Sequence, residues 1–173
     1  MAGIFTRIAT IAAILSMTLG VLLAQPEAAD ARLWQPDANE CAFLNSINLY
    51  RRSHGVSPLV LSRSLSMAAD YHSNYMARTD DVDHSLSGGA SWSQSILNFG
   101  YPEGYGMGEN VLAGRSSAGG ALTLWSRSPA HNDNMLNSSW KSIGIGRAVN
   151  QDGRYKYYWT TTFGTIRHRT ISC

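Results

Sequence analysis

The chain has 173 residues, 44% of them hydrophobic, and 14 basic against 12 acidic side chains give a formal charge of +2. That length suits one domain with a sizeable core, and so small a charge excludes the electrostatic case for a nucleic-acid partner.

The first thirty or so residues differ in kind from the rest. Arg7 supplies a positive charge, residues 8–24 carry no ionisable group, and Ala29-Asp30-Ala31 puts small residues at the two positions a signal peptidase reads. This predicts a secretory signal over residues 1–31, cleaved before Arg32, and a single domain over residues 32–173. The alternative is an uncleaved anchor, because an apolar run of roughly seventeen residues reaches the lower limit for crossing a bilayer. The small-residue site and the polar stretch after it favour cleavage, which leaves no stable membrane insertion. Cys41 and Cys173 stand near opposite ends of the remaining chain. In an exported protein such a pair reads as a disulfide, with two free thiols as the alternative.

Residues 37–54 read as a helix: Asp37 can cap it, Phe43, Leu44, Ile47, Tyr50 and Arg51 follow helical spacing, and Gly55 stops it. Ser57-Pro58 forms an extended linker, since proline pushes its predecessor out of the helical region. Residues 62–78 form a second helix with Leu65, Ala69, His72 and Met76 on one stripe. On that stripe His72 reads as a packed, hydrogen-bonded residue rather than a ligand. Residues 80–89 are a polar loop containing His84, whose three aspartates lack the spacing and closing glutamate of a calcium loop.

Residues 91–99 read as a short helix stopped by Gly100. The glycine-rich stretch 101–108 neither follows a strand nor opens a helix, so it fails the context of a dinucleotide cradle and reads as a flexible loop. Glu109-Asn110-Val111-Leu112 enters a strand that ends at Gly114. Ser116 or Ser117 caps the next helix, whose face is Ala118, Ala121, Leu122 and Trp125, although Gly119 and Gly120 weaken it. That helix ends at Pro129, His131 follows at a junction, and Met135-Leu136 packs as a short apolar turn. Residues 142–150 and 154–165 read as two strands around a Gln151-Asp152-Gly153 turn. The second carries aromatics at both parities, which predicts a sheet covered on each side by helices. The fold class expected is α+β, a three-layer α-β-α sandwich, with no internal repeat.

His84, Glu109 and His131 are the groups that could converge. Two imidazoles and a carboxylate suit either a divalent ion with a position open to water or proton transfer without a metal. Their spacing matches no local zinc motif.

Seven stretches fall in one order: Leu44-Asn45 with Arg51 and Gly55, Ala68-Ala69 with Met76, His84-Ser85, Gly108-Glu109-Asn110, Trp125 to His131, Ile143-Gly-Ile145-Gly, and Tyr158-Trp159-Thr160 to Phe163-Gly164. Together they resemble the bacterial branch of the CAP superfamily, the SCP-like extracellular domain shared by cysteine-rich secretory proteins, insect venom antigens and plant pathogenesis-related proteins. The resemblance implies an α-β-α sandwich, secreted or held at the cell envelope, with a cleft of two histidines and two acids. His84 matches the first cleft histidine, Glu109 the first acid and His131 the second histidine, with Asn110 and Ser128 lining the cleft. Ser128 stands where the second acid is expected, so a cation loses one favourable charge and a pair of carboxylates is gone. The resemblance further implies zinc or another divalent cation on His84 and His131, and a lipid, sterol or peptide ligand for a monomeric binding module. The alternative is a metal-assisted hydrolase in which His84, Glu109 and His131 are catalytic. A Ser128–His131 nucleophile pair is disfavoured, because the chain has no G-x-S-x-G elbow.

Overall fold

A computed structural model describes residues 34–86 and 90–173. The expected signal or anchor, the domain start at Arg32 and part of the polar loop, residues 87–89, lie outside them.

Helix α1 (Ala38–Ser53) starts in a capping box: Asp37 accepts from the Glu40 backbone at 2.8 Å, and the Glu40 side chain accepts from the Asp37 backbone at 2.8 Å. Phe43 and Ile47 are fully buried on its inner face. A three-residue strand β1 (Val60–Ser62) follows the proline, too short to show a strand period, and leads directly into α2 (Arg63–Thr79). Next come α3 (Trp92–Asn98), capped by Ser91, β2 (Met107–Ala113) and α4 (Ala118–Ser126), capped by Ser117. Helix α5 (Pro129–Leu136), β3 (Ser142–Val149), β4 (Tyr157–Gly164) and β5 (Thr170–Ile171) complete the order.

Three readings of the sequence are corrected. Met107 and Gly108 belong to β2, not to a flexible loop. Residues 129–136 are a helix rather than a junction and a turn, because Pro129 occupies a first-turn position where its missing N–H costs nothing. The turn between β3 and β4 is longer than three residues: Lys156 has φ +63°, and Arg154 N–H donates to both carboxylate oxygens of Asp80, holding residues 154–156 out of the ladder.

The sheet runs β2-β4-β3-β1-β5, with β1 parallel to β3 and the other pairings antiparallel. Along β4, Trp159 and Phe163 pack with Phe43, Trp125 and Met135 beneath α1, α4 and α5, while Tyr158 packs with Met76 of α2 and Val111. Helices therefore cover both faces, and the fold is the α-β-α sandwich. Among the described residues, no helix is long and apolar enough to cross a membrane.

Helix α2 lies directly on β3. A Cβ at Gly144 would overlap the backbone of Leu65 and Ser66, and one at Gly146 the backbone of Ala69 and Asp70. The approach is held by polar bonds: Ser73 Oγ donates to the Gly146 carbonyl at 2.9 Å and Thr162 Oγ1 to the Leu65 carbonyl at 2.9 Å. On the other side of the sheet, buried Arg51 donates to the carbonyls of Met135 (2.5 Å) and Asn137 (3.1 Å), tying α1 to the C-terminal end of α5. Such an end favours a cation. Cys41 and Cys173 are bridged, with Cα atoms 5.6 Å apart across 132 residues. A loop that long gives an entropic stabilisation of about 4–5 kcal/mol in the chain-entropy model.

Glu40 is buried, and burial pushes its carboxyl up to about 7, assisted by the charges of Asp37 and Asp70 and opposed by backbone hydrogen bonds from Asp37 and Arg147.

Two consequences are measurable. Gly144→Ala is expected to destabilise the protein by about 3 kcal/mol or more, because the obstructing atoms are backbone and cannot rotate away; urea unfolding measures it. For Glu40, a folded value near 7 against an ordinary 4.5 means that its stabilising share is complete below about 4.5 and is lost as pH rises through 7. Glu40→Gln is expected to flatten that pH dependence, worth up to about 3 kcal/mol, while keeping α1 capped; urea midpoints of both proteins between pH 4.5 and 7 test this.

Candidate functional site

Strand β2 is an edge of the sheet, and its alternation sends successive side chains to opposite layers. Val111 packs in the α2 layer and Leu112 in the α1-α4-α5 layer, so Glu109 faces α2 while Gly108 and Asn110 face α5.

On the α2 side, Glu109 is clasped by two imidazoles. Its Oε2 lies 2.7 Å from His72 Nδ1 and its Oε1 lies 2.8 Å from His84 Nδ1. The other ring nitrogen of His72, Nε2, meets the Asp83 carbonyl at 2.9 Å. Side-chain exposure is 1% for His72, 2% for Glu109 and 50% for His84. The carboxylate is therefore internal, and His84 carries the site to the surface with Nε2 on the ring edge away from Glu109.

On the other side, α5 is stitched to β2 through amides. Asn110 Nδ2 donates to the His131 carbonyl at 3.0 Å, and Asn134 Nδ2 donates to the Glu109 carbonyl at 3.0 Å and to Asn110 Oδ1 at 2.9 Å. Trp140 Nε1 donates to the Asn134 carbonyl at 2.9 Å, and Trp125 Nε1 to the Val111 carbonyl at 3.1 Å. Two of these bonds, to the Glu109 and Val111 carbonyls, occupy the outer edge of β2 and block it against a further strand. A Cβ on Gly108 would meet Asn134 and Trp140, so glycine there permits the packing. His131 sits in the first turn of α5, half-buried.

Of the residues expected to converge, His84 and Glu109 are in direct contact, and His131 is close enough to feel the charge of His84. Asn110 joins the site by holding the His131 backbone. Ser128 is the N-cap of α5, extended, with no side-chain capping bond. Sequence reasoning missed two members. His72 was read correctly as packed and hydrogen-bonded, but its partner is the site's own carboxylate. Asn134 was overlooked; its signal was the polar spacing from His131, visible only once residues 129–136 are seen as a helix.

The hydrogen bond to Glu109 holds His84 above its ordinary 6.5, ahead of the opposing effect of burial. Burial pulls His131 below 6.5, and the neighbouring His84 adds to this. Among the described residues, no group of three or more His, Cys, Asp or Glu side chains is arranged to hold a metal ion. Both Glu109 oxygens are engaged, so a divalent ion in the cleft would find at most two imidazoles, short of the three protein ligands of a catalytic zinc. The donor set does not fit a resident catalytic metal.

A family model described as the cysteine-rich secretory protein family matches residues 44–163. Comparison with curated proteins gives no match. Similar solved structures include an extracellular protein containing an SCP domain from Bacillus anthracis, 23% identical over 72% of this chain and 39% of that one, TM-score 0.63. An outer surface protein from Borrelia burgdorferi is 18% identical over 78% of this chain and 98% of that one, TM-score 0.66. A cysteine-rich secretory protein from Staphylococcus aureus is 18% identical over 78% of this chain and 40% of that one, TM-score 0.56. The aligned region thus spans about two fifths of the first and third. At these identities the likeness is one of fold.

The two cleft imidazoles are expected to titrate on opposite sides of 6.5, His84 above and His131 below. Glu109→Gln should lower the His84 midpoint, since the largest cause of its elevation is removed. Imidazole NMR titration of both proteins checks the order and the shift.

Proposed function

The chain belongs to the cysteine-rich secretory protein family, and from that premise we propose that it is an exported binding module rather than an enzyme. The observation that carries this reading is the engagement of Glu109: at 2% exposure, with both oxygens bonded to histidines, it offers no free base to a water or substrate. The metal-assisted hydrolase would need that carboxylate to take a proton. What faces the outside is instead a pair of imidazoles, His84 and His131, rimmed by α5 and by the loop after α2. This arrangement suits recognition of a ligand, for which a lipid, sterol or peptide is our proposal. A divalent cation held by His84 and His131 would be a weak addition to it, with Glu109 orienting the His84 ring from behind. Export, with release outside the cell or retention at its surface, is supported by the expected signal and by the words extracellular and outer surface in the names of two similar proteins.

The test is calorimetric titration of zinc into wild type, His84→Ala and His131→Ala, run beside turnover assays on peptide and ester panels. Weak one-to-one binding in wild type, lost in both variants, with no turnover, is the expected outcome. Metal-dependent turnover abolished by His131→Ala would replace the binding module with the hydrolase.

A further inference from the structure

His72 lies on the buried stripe of α2 with Leu65, Ala69 and Met76, where an apolar side chain would pack at less cost than an imidazole. Both of its nitrogens are nevertheless engaged, and both partners lead to His84: the Asp83 carbonyl belongs to the residue immediately before it, and Glu109 is the carboxylate bonded to its ring.

The hydrogen-bond chemistry orders the protons along this chain. A carbonyl only accepts, so His72 Nε2 carries a proton toward Asp83. A further proton lies on the 2.7 Å line between His72 Nδ1 and Glu109 Oε2. With Oε2 so engaged, Oε1 accepts, and the 2.8 Å bond to His84 is an Nδ1–H donation. His84 Nε2 then keeps its lone pair, on the edge of the ring that leads out of the protein.

We propose that His72 is a positioning residue of the cleft: by sharing a hydrogen bond with Glu109 Oε2, it keeps Oε1 an acceptor toward His84 and so leaves the His84 Nε2 lone pair open to a ligand. The role rests on the reading of His84 as a group that serves the cleft. Without an inner donor, the buried Oε2 is left unsatisfied. Glu109 then does better by taking up one proton from solvent, as a carboxyl that donates from its other oxygen to His84 Nδ1, while His84 carries its own proton on Nε2 and its outward lone pair is closed.

Two near-isosteric variants separate the two contacts of His72. Asparagine carries its amide nitrogen on Cγ, where His72 has Nδ1, and can still donate to Glu109. Glutamine reaches the Nε2 position and can still donate to the Asp83 carbonyl. The readout is the tautomer of His84, from two-bond 1H–15N imidazole correlations at alkaline pH, with near-UV circular dichroism to establish folding. Wild type and His72→Asn are expected to show a protonated Nδ1 and a bare Nε2, whereas His72→Gln is expected to lose that pattern, its His84 Nε2 resonance moving to the protonated end of the range. Retention of the wild-type pattern in folded His72→Gln, its loss in folded His72→Asn, or an Nε2–H form in wild type would each overturn the proposal. The tautomer is read without ligand, so it is decided independently of the zinc titration: a wild type with the expected tautomer that binds no zinc removes the cation from the binding reading and leaves the role of His72 standing.

Discussion

The contact on which the rest of the molecule depends is that of α2 with β3. At Gly144 and Gly146 the helix backbone sits where side chains would otherwise be, and hydroxyls of Ser73 and Thr162 bridge the two elements. A helix held that low has its other side chains aimed within narrow limits. His72 adjoins Ser73 in sequence, so the bond that fixes Ser73 over Gly146 also fixes the imidazole next to it, which reaches past β4 to the edge strand and Glu109. The two glycines of Ile143-Gly-Ile145-Gly thus stand far from the cleft in sequence yet set the reach of its innermost residue.

The cleft owes its composition to β2 being an edge. Within a sheet, alternation would bury Glu109 and Asn110 in separate layers with no meeting point. At an edge the layers converge, so α5 and the loop after α2 come together around the strand: Glu109 gathers His72 and His84 on one side, and Asn110 with Asn134 holds the His131 backbone on the other. Each residue of Gly108-Glu109-Asn110 then has its own physical reason, glycine for the approach of Asn134 and Trp140, glutamate for two imidazoles, asparagine for a backbone carbonyl. The same bonds occupy edge carbonyls of β2, so the site and the protection of the sheet are built from one set of side chains.

Much of this was legible in the sequence where periods are long. Helices α1 and α2 announce themselves by cap and stripe, and the mixed parity of β4 revealed two covering layers. Strands β1 and β5, of three and two residues, carry no period at all. Pro129 was read as the end of one helix when it opens the next, an ambiguity that proline always carries between these positions. The glycines of the 101–108 stretch suggested mobility, yet a Cβ at Gly106 would meet Thr165 and one at Gly108 would meet Asn134 and Trp140. At Gly106 and Gly108 smallness serves packing, and no local pattern distinguishes that use from flexibility. His84, Glu109 and His131 stand out by residue type as groups that could converge, but their spacing cannot bring them together, and only the resemblance places them in one cleft. His72 escaped because a histidine on an apolar stripe looks the same from sequence whether its partner is a stray carbonyl or the carboxylate of the site.

That last point changes what the acid in the cleft is for. Read as a free carboxylate between two histidines, Glu109 invites a base or a metal ligand. Clasped by His72 and His84 and shut from solvent, it has both oxygens engaged, and its effect reaches the surface through the ring it orients. The second acid that the family pattern leads one to expect is a serine here, with its backbone starting α5. With one carboxylate internal and the other missing, the outward face of the site is set by His84 and His131, one held toward its charged form by the acid beneath it and the other held toward neutrality by burial. The two imidazoles are therefore not equivalent: the internal carboxylate reaches the surface through His84, while His131 answers to burial first and to the charge of His84 second.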